Sequence, residues 1–203
     1  MSEKMVVSSV IEEVVPGHNG WPVQGQWRYA DYLRLPNDGK RYEIIDGVLY
    51  VANAPGYDHQ FAVTKLTSRL DLFVTENNLG VVLSAPFEVH LSETSRPVQP
   101  DVVFIRAEHQ PQPGAQLFEG APDLIIEVIS PGSFRLDRKV KFDAYEQARV
   151  PEYWLADPKT RSIEVYTLAR GEYALYGQFT GNESIRSKVL EGIAIIASSL
   201  FSS

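Results

Sequence analysis

The chain has 203 residues, a little more than one typical domain length and enough for a single compact domain with a full-sized core. Nineteen Lys and Arg against 26 Asp and Glu leave a formal charge of −7, which excludes a broad basic surface that coats nucleic acid or anionic lipid. With no cysteine, disulfides, thiolate zinc sites and cysteine nucleophiles are excluded together.

The four histidines (His18, His59, His90, His109) show no i, i+4 pairing of the kind that forms a helical zinc site. No run reaches the eighteen or so apolar residues of a membrane span, and the first residues lack the pattern of a signal peptide, so a cytoplasmic protein with no membrane association is expected. Residues 1–25, punctuated by Pro, Gly and Asn after a Val-rich start, read as an N-terminal arm, and residues 26–203 as one domain.

The segment 26–35 carries Trp27, Ala30, Leu33 and Leu35 at helical spacing and stops at Pro36. Strands Arg41 to Ile45 and Val48 to Ala52 follow, joined by the hairpin signal Asp46-Gly47. A helix from about His59 to Glu76 sets Phe61, Leu66, Leu70 and Phe73 near one face, and Asn77 to Gly80 ends it. Strands are expected at Val81 to Leu83, Phe87 to Leu91 and 102–105, with Pro86 and Pro100 as strand-edge punctuation. A polar loop of about 107–120 leads to Leu124 to Ile129, a run apolar on both faces except for Glu127. Such a run marks a central strand covered on both sides, where a carboxylate is costly unless something pairs with it. A helix from about Leu136 to Ala148, with Val140, Ala144 and Ala148 on one stripe, precedes strands Glu152 to Ala156, Ser162 to Leu168 and Glu172 to Phe179. The last two strands turn through Ala169 to Gly171, and the Ser-rich C-terminus reads as a frayed end. The class is α+β with one mixed sheet.

Three features carry chemistry. Asp101 follows a proline at the start of a strand, Glu127 sits in the most apolar strand, and Arg135, Arg138, Lys139 and Lys141 cluster in the next helix. Residues 131–170 hold eight basic and six acidic groups, a net +2 in a chain of −7, so the one net-positive stretch follows the buried carboxylate directly. Two carboxylates on neighbouring strands make a hard, oxygen-rich site for Mg²⁺ or Mn²⁺, and a lysine beside them can stabilise charge on a phosphoryl oxygen. The competing structural reading is a buried ion bridge from Glu127 to a basic residue, with Asp101 merely capping a turn. Helical spacing puts Lys141 on the side of Ala144, Tyr145 and Ala148, whereas Lys139 shares a side with Asp143 and Glu146 as an exposed ion pair. Arg135 and Arg138 are either a solvated helix start or phosphate-steering groups. His59 either orients water, phosphate or a carboxylate, or is a polar residue at a helix start. Tyr145, Tyr153 and Trp154 read as core.

The order of motifs resembles a large bacterial family of restriction endonucleases within the PD-(D/E)XK nuclease superfamily. The resemblance rests on Tyr42-Glu43-Ile44-Ile45-Asp46-Gly47, His59-Gln60, Ser84-Ala85-Pro86-Phe87, Gln99-Pro100-Asp101-Val102, Ala121 to Val128, Ser130-Pro131, Asp137-Arg138-Lys139-Val140-Lys141, Tyr145 and Glu152 to Pro158, and it spans roughly residues 26–200. It implies a restriction-endonuclease-like fold, a central mixed β-sheet flanked by α-helices with extra antiparallel strands towards both ends, and Mg²⁺- or Mn²⁺-dependent hydrolysis of DNA. By this resemblance Asp101 and Glu127 match the two acidic positions and Glu43 an additional upstream acid near the metal. Ile129 stands where the superfamily has its lysine, and Lys141 on the following helix is the match. The resemblance makes Asp101, Glu127, Lys141 and Glu43 catalytic and the three acids metal ligands, while residue type and position at helix starts make His59, Arg135 and Arg138 the candidate substrate-binding groups. Two other classes remain open: an inactive nuclease fold that binds nucleic acid or protein, and a hydrolase of small phosphorylated substrates. No DNA-reading module is visible, and a homodimer is expected because cutting both strands of a duplex asks for two sites about a twofold axis.

Overall fold

The computed structural model describes residues 14–52 and 54–202, and residues 1–13 of the expected arm lie outside it. A short helix α1 (Tyr29–Tyr32) precedes the hairpin β1 (Arg41–Ile45) and β2 (Val48–Ala52). Asp46 and Gly47 both have positive φ, +50° and +70°, the type I′ turn that fits the twist of the flanking strands. Glycine is required at position 47, because a Cβ there would lie 2.5 Å from the carbonyl oxygen of Gly25. That close approach docks the segment before α1 on the hairpin: Gly25 and Trp27 both donate to the Gly47 carbonyl at 2.8 and 2.9 Å. Trp27 is buried and stacks on Trp21 at 5.5 Å, so residues 14–25 run against the hairpin. The helix expected over 26–35 is only one turn, because Trp27 is claimed by the hairpin and Leu33 faces solvent.

Helix α2 (Tyr57–Glu76) buries Ala62, Leu66, Leu70 and Val74, an i, i+4 stripe. The face therefore sits one position later than expected, and Phe61 and Phe73 flank it half-buried. Burying Leu66 or Leu70 contributes roughly 1.5–3 kcal/mol each.

A six-stranded mixed sheet runs in the order β10-β9-β8-β7-β5-β3, with β3 (Gly80–Ser84), β5 (Val102–Arg106), β7 (Leu124–Val128), β8 (Glu152–Asp157), β9 (Ser162–Ala169) and β10 (Glu172–Thr180). Strand β7 is central and wholly buried, parallel to β8 and antiparallel to β5, as its unbroken apolar run requires. Its residues alternate: Leu124, Ile126 and Val128 pack under α2, while Ile125 joins the opposite layer with Tyr145, Val150 and Tyr153. Glu127 has the parity of Ile125 and points to that second layer.

Two stretches that read as unstructured in the sequence, the polar loop and the C-terminus, carry strands. Strand β4 (Glu88–His90) pairs in parallel with β6 (Leu117–Glu119), which lies inside the expected polar loop. The C-terminus is not frayed. β11 (Ser184–Ile185) pairs with β12 (Ile195–Ile196), and Ala197, Leu200 and Phe201 are buried in the α2-side core.

The anchor for this C-terminal run is Glu152, fully buried on β8. It accepts bonds from Trp154 Nε1 at 2.7 Å, Ser187 Oγ at 2.5 Å and the Lys188 amide at 2.7 Å. Glu152→Ala is expected to lower unfolding stability by about 4 kcal/mol, since it strands several buried donors at roughly 1–3 kcal/mol each. Urea midpoints read this directly, and a loss below about 1 kcal/mol would contradict the anchoring role.

Candidate active site

Register brings the two principal carboxylates together. Val102 faces Ile126 and Val103 faces Ile125 in the antiparallel pair of β5 and β7, so one step outward Asp101 lies opposite Glu127 on the same face. The Val128 amide donates to Asp101 Oδ2 at 2.9 Å and ties the two strand ends. Glu43 arrives on β1, which docks on the chain just before Asp101: Ile44 N donates to the Pro97 carbonyl and Gln99 N to Glu43 Oε1 at 2.7 Å. All three carboxylates are at most 3% exposed.

After β7 the chain enters a π-helical stretch, Leu136–Lys141, that runs straight into α3 (Phe142–Gln147). The wider π turn replaces the regular helix expected here, and such turns recur at functional sites. Val140 is consequently only half-buried, and the inward stripe is Asp137, Lys141, Ala144 and Tyr145. Lys141 Nζ lies 2.9 Å from Glu127 Oε1 and 3.1 Å from Glu43 Oε1, so the displaced lysine does reach both acids. Lys139 is instead exposed and paired with Asp143 at 3.4 Å.

His59, near the start of α2, sets Nε2 3.1 Å from Asp101 Oδ2, so it holds a carboxylate rather than a backbone group. The other two expected substrate contacts are not brought in. Arg138 is engaged by Glu164 on β9 through both Nη atoms at 2.8 and 2.9 Å, and Arg135 is exposed outside the cleft lining. Both belong to a helix start whose inward side is taken by Asp137 and Lys141.

Three site residues were missed. Arg41 Nη1 lies 3.1 Å from Asp101 Oδ1, and its position two residues before Glu43 on one strand was the available signal for a shared face. Tyr145, read as core, is buried but donates its hydroxyl to Glu127 Oε1 at 2.6 Å, and it sits four residues after Lys141. Asp137, four residues before Lys141, lines the same cleft of about 950 Å³ that Arg41, His59, Asp101, Glu127 and Lys141 line.

The site holds more acid than base: Glu43, Asp101, Glu127 and Asp137 face Arg41, Lys141 and His59. Burial opposes ionisation of Asp101, yet the bond from His59 and the charges of His59, Arg41 and Lys141 outweigh it and hold the carboxyl well below its usual range. Burial pushes Glu127 up; Lys141 opposes this, while Asp101, Asp137 and Glu43 add to it, leaving Glu127 well above the ordinary range. Burial would neutralise Lys141, but Glu127 and Glu43 keep it charged. Asp137 is pushed up to about 6, chiefly by burial and against the pull of Lys141.

A carboxyl whose pKa is raised on folding favours the folded state below its unfolded pKa and loses that contribution as pH rises through the folded value. Asp137→Asn is therefore expected to be more stable than the parent above pH 6, with the difference fading towards pH 4. Thermal melts at pH 4, 6 and 8 check the sign, and a variant less stable at pH 8 would refute it.

The donor chemistry suits a hard divalent cation. The acids are oxygen donors on three neighbouring backbone segments, their negative excess raises Glu127, and every bond Glu127 makes to described residues uses Oε1 while the residue lines the cleft. Among the described residues no three such groups converge as a metal cage, and Arg41, His59 and Lys141 engage oxygens of Asp101, Glu43 and Glu127.

A mixed sheet with opposed carboxylates at the ends of adjacent central strands, flanked by helices, is the restriction-endonuclease-like fold. The chain belongs to the Uma2 family, described as "Putative restriction endonuclease", whose model matches residues 29–198. Among solved structures it is similar to a "putative nuclease belonging to DUF820" from Anabaena variabilis, with TM-score 0.73 and 18% identity over 86% of this chain and 97% of that one, a likeness of fold. No curated protein matches the chain. No helix among the described residues is long and apolar enough to cross a membrane.

Proposed function

We propose that the chain is a Mg²⁺- or Mn²⁺-dependent endonuclease that hydrolyses DNA phosphodiester bonds at the cleft. The observation that carries this reading is Lys141: fourteen residues after Glu127 and on another element, its Nζ meets both Glu127 and Glu43 within 3.1 Å. An isolated ion bridge would need only one carboxylate.

Glu43, Asp101 and Glu127 would hold the divalent cation, which supplies an activated water and neutralises charge on the phosphoryl oxygens. His59 and the Val128 amide fix both the position and the ionised state of Asp101. Tyr145 fixes Glu127 from the core side. Lys141 keeps a permanent positive charge beside the point where negative charge grows on the attacked phosphate, an electrostatic stabilisation strongest in a water-poor site. A homodimer would supply a second site for the second strand of a duplex.

The test is incubation with supercoiled plasmid and with single-stranded DNA in Mg²⁺, Mn²⁺ or EDTA. Cleavage that needs the cation and is lost in Glu127→Ala supports the reading. Cleavage that survives EDTA or that substitution overturns the site. DNA binding without cleavage in any cation returns the protein to the inactive-module reading, and preferential hydrolysis of short phosphodiesters over plasmid moves it to small substrates.

A further inference from the structure

A polyanion entering a cleft walled by carboxylates needs a cation that lines the cleft, is partly exposed and has donors to spare. Lys141 is in the cleft but 1% exposed and clamped between two acids. Arg138 has both Nη atoms on Glu164, and Arg135 lies outside the cleft lining. Lys40 also lines the cleft, but its single ammonium is paired with Asp38 at 3.2 Å. Arg41 meets the requirement. Its side chain is 27% exposed, it lines the cleft, and its bond to Asp101 uses Nη1.

We infer that Arg41 is the residue that grips the substrate phosphate, presenting its guanidinium to the non-bridging oxygens of the phosphodiester beside Asp101. The inference rests on the nuclease reading and extends it to a residue of the hairpin. Three arguments carry it. The planar fork of arginine matches two phosphate oxygens at once, which a lysine ammonium cannot do. Strand parity sets Arg41 on the face of Glu43, so a phosphate held there lies against the carboxylates. The location also divides the labour: Arg41 comes from the hairpin and Lys141 from the helix after β7, so the hairpin brings the more exposed charge and the helix the buried one.

A merely structural Arg41 would serve only to neutralise Asp101, and the experiment separates the two roles. Arg41→Gln, Arg41→Lys and, as a charge-matched control, Lys159→Ala in the exposed turn between β8 and β9 are compared with the parent. Binding of a labelled duplex oligonucleotide is followed by anisotropy in Ca²⁺ over a range of salt, and cleavage in Mg²⁺. Arg41→Gln is expected to bind at least about tenfold more weakly, with the slope of log affinity against log salt smaller by about 0.9, one phosphate contact. Arg41→Lys should keep the slope, because the charge remains, yet lose about tenfold in kcat, because the fork is gone. Lys159→Ala should cleave as the parent does. If the parent cleaves and Arg41→Gln retains its affinity and salt slope, the inference fails while the nuclease reading stands. If Arg41→Gln fails to fold, an unchanged kcat in Arg41→Lys overturns the fork argument in its place. A parent that neither binds nor cleaves DNA removes the reading beneath both.

Discussion

Lys141→Met is expected to abolish DNA cleavage, a loss of at least about 100-fold on the scale of removing one preorganised charge from a transition state. It is also expected to cost about 3–5 kcal/mol of stability near neutral pH, because Glu43 and Glu127 would be left buried without their shared cation. The pH dependence fixes the cause. With Lys141 gone, the Glu127 carboxyl rises further from its ordinary range. The variant is then least unstable at low pH, where that carboxyl takes up a proton, and loses stability as pH rises. Urea midpoints at pH 5 and pH 8 read this slope. The double variant Glu43→Gln with Lys141→Met removes one stranded charge and should recover part of the stability but none of the cleavage. A Lys141→Met protein that cuts DNA at the parental rate would remove the lysine from the site altogether.

Asp101→Asn is the second large effect. Cleavage should fall by at least about a thousandfold, equivalent to about 4 kcal/mol of transition-state stabilisation. Its fold effect has the opposite pH sign from that of Asp137. The Asp101 carboxyl is held below its usual range, so it contributes stability above its unfolded pKa of about 3.9 and loses it as pH falls through the folded value. The asparagine variant should therefore be less stable than the parent from pH 5 to 8, and the two should converge at lower pH. Cation binding gives a readout independent of cleavage. Mn²⁺ at a hundred times its dissociation constant should stabilise the parent by about 2.7 kcal/mol and the variant far less. Equal protection of both proteins by Mn²⁺ would place the cation elsewhere.

Much of the site was legible because its signals are local or electrostatic. Glu127 stood out as one carboxylate in an unbroken apolar run, an arrangement that burial makes expensive and that therefore announces a partner. Lys141 was separable from Lys139 by helical spacing alone, and the hairpin at Asp46-Gly47 followed from turn chemistry. The family resemblance added Glu43 and the reason for looking past Ile129. Arg41 carries no such signal, because a single arginine at a strand start leaves no mark on a regional charge sum like the excess of 131–170. Arg138 illustrates the converse. Its partner Glu164 is 26 residues away on β9, a pairing that no local pattern encodes.

By itself the sequence determined most of the strands, the long helix and the covered central strand, and it singled out Asp101, Glu127 and Lys141 as candidates, since periodicity, turn residues and the cost of a buried charge are written residue by residue. Only the tertiary structure decided which charges meet. The register of β5 on β7 set Asp101 against Glu127, and the docking of the hairpin on residues 97–99 delivered Arg41 and Glu43. A buried carboxylate at position 152 gathered a C-terminus that composition alone describes as loose. Those outcomes depend on contacts between distant segments, whose energies exist only once the chain has closed on itself.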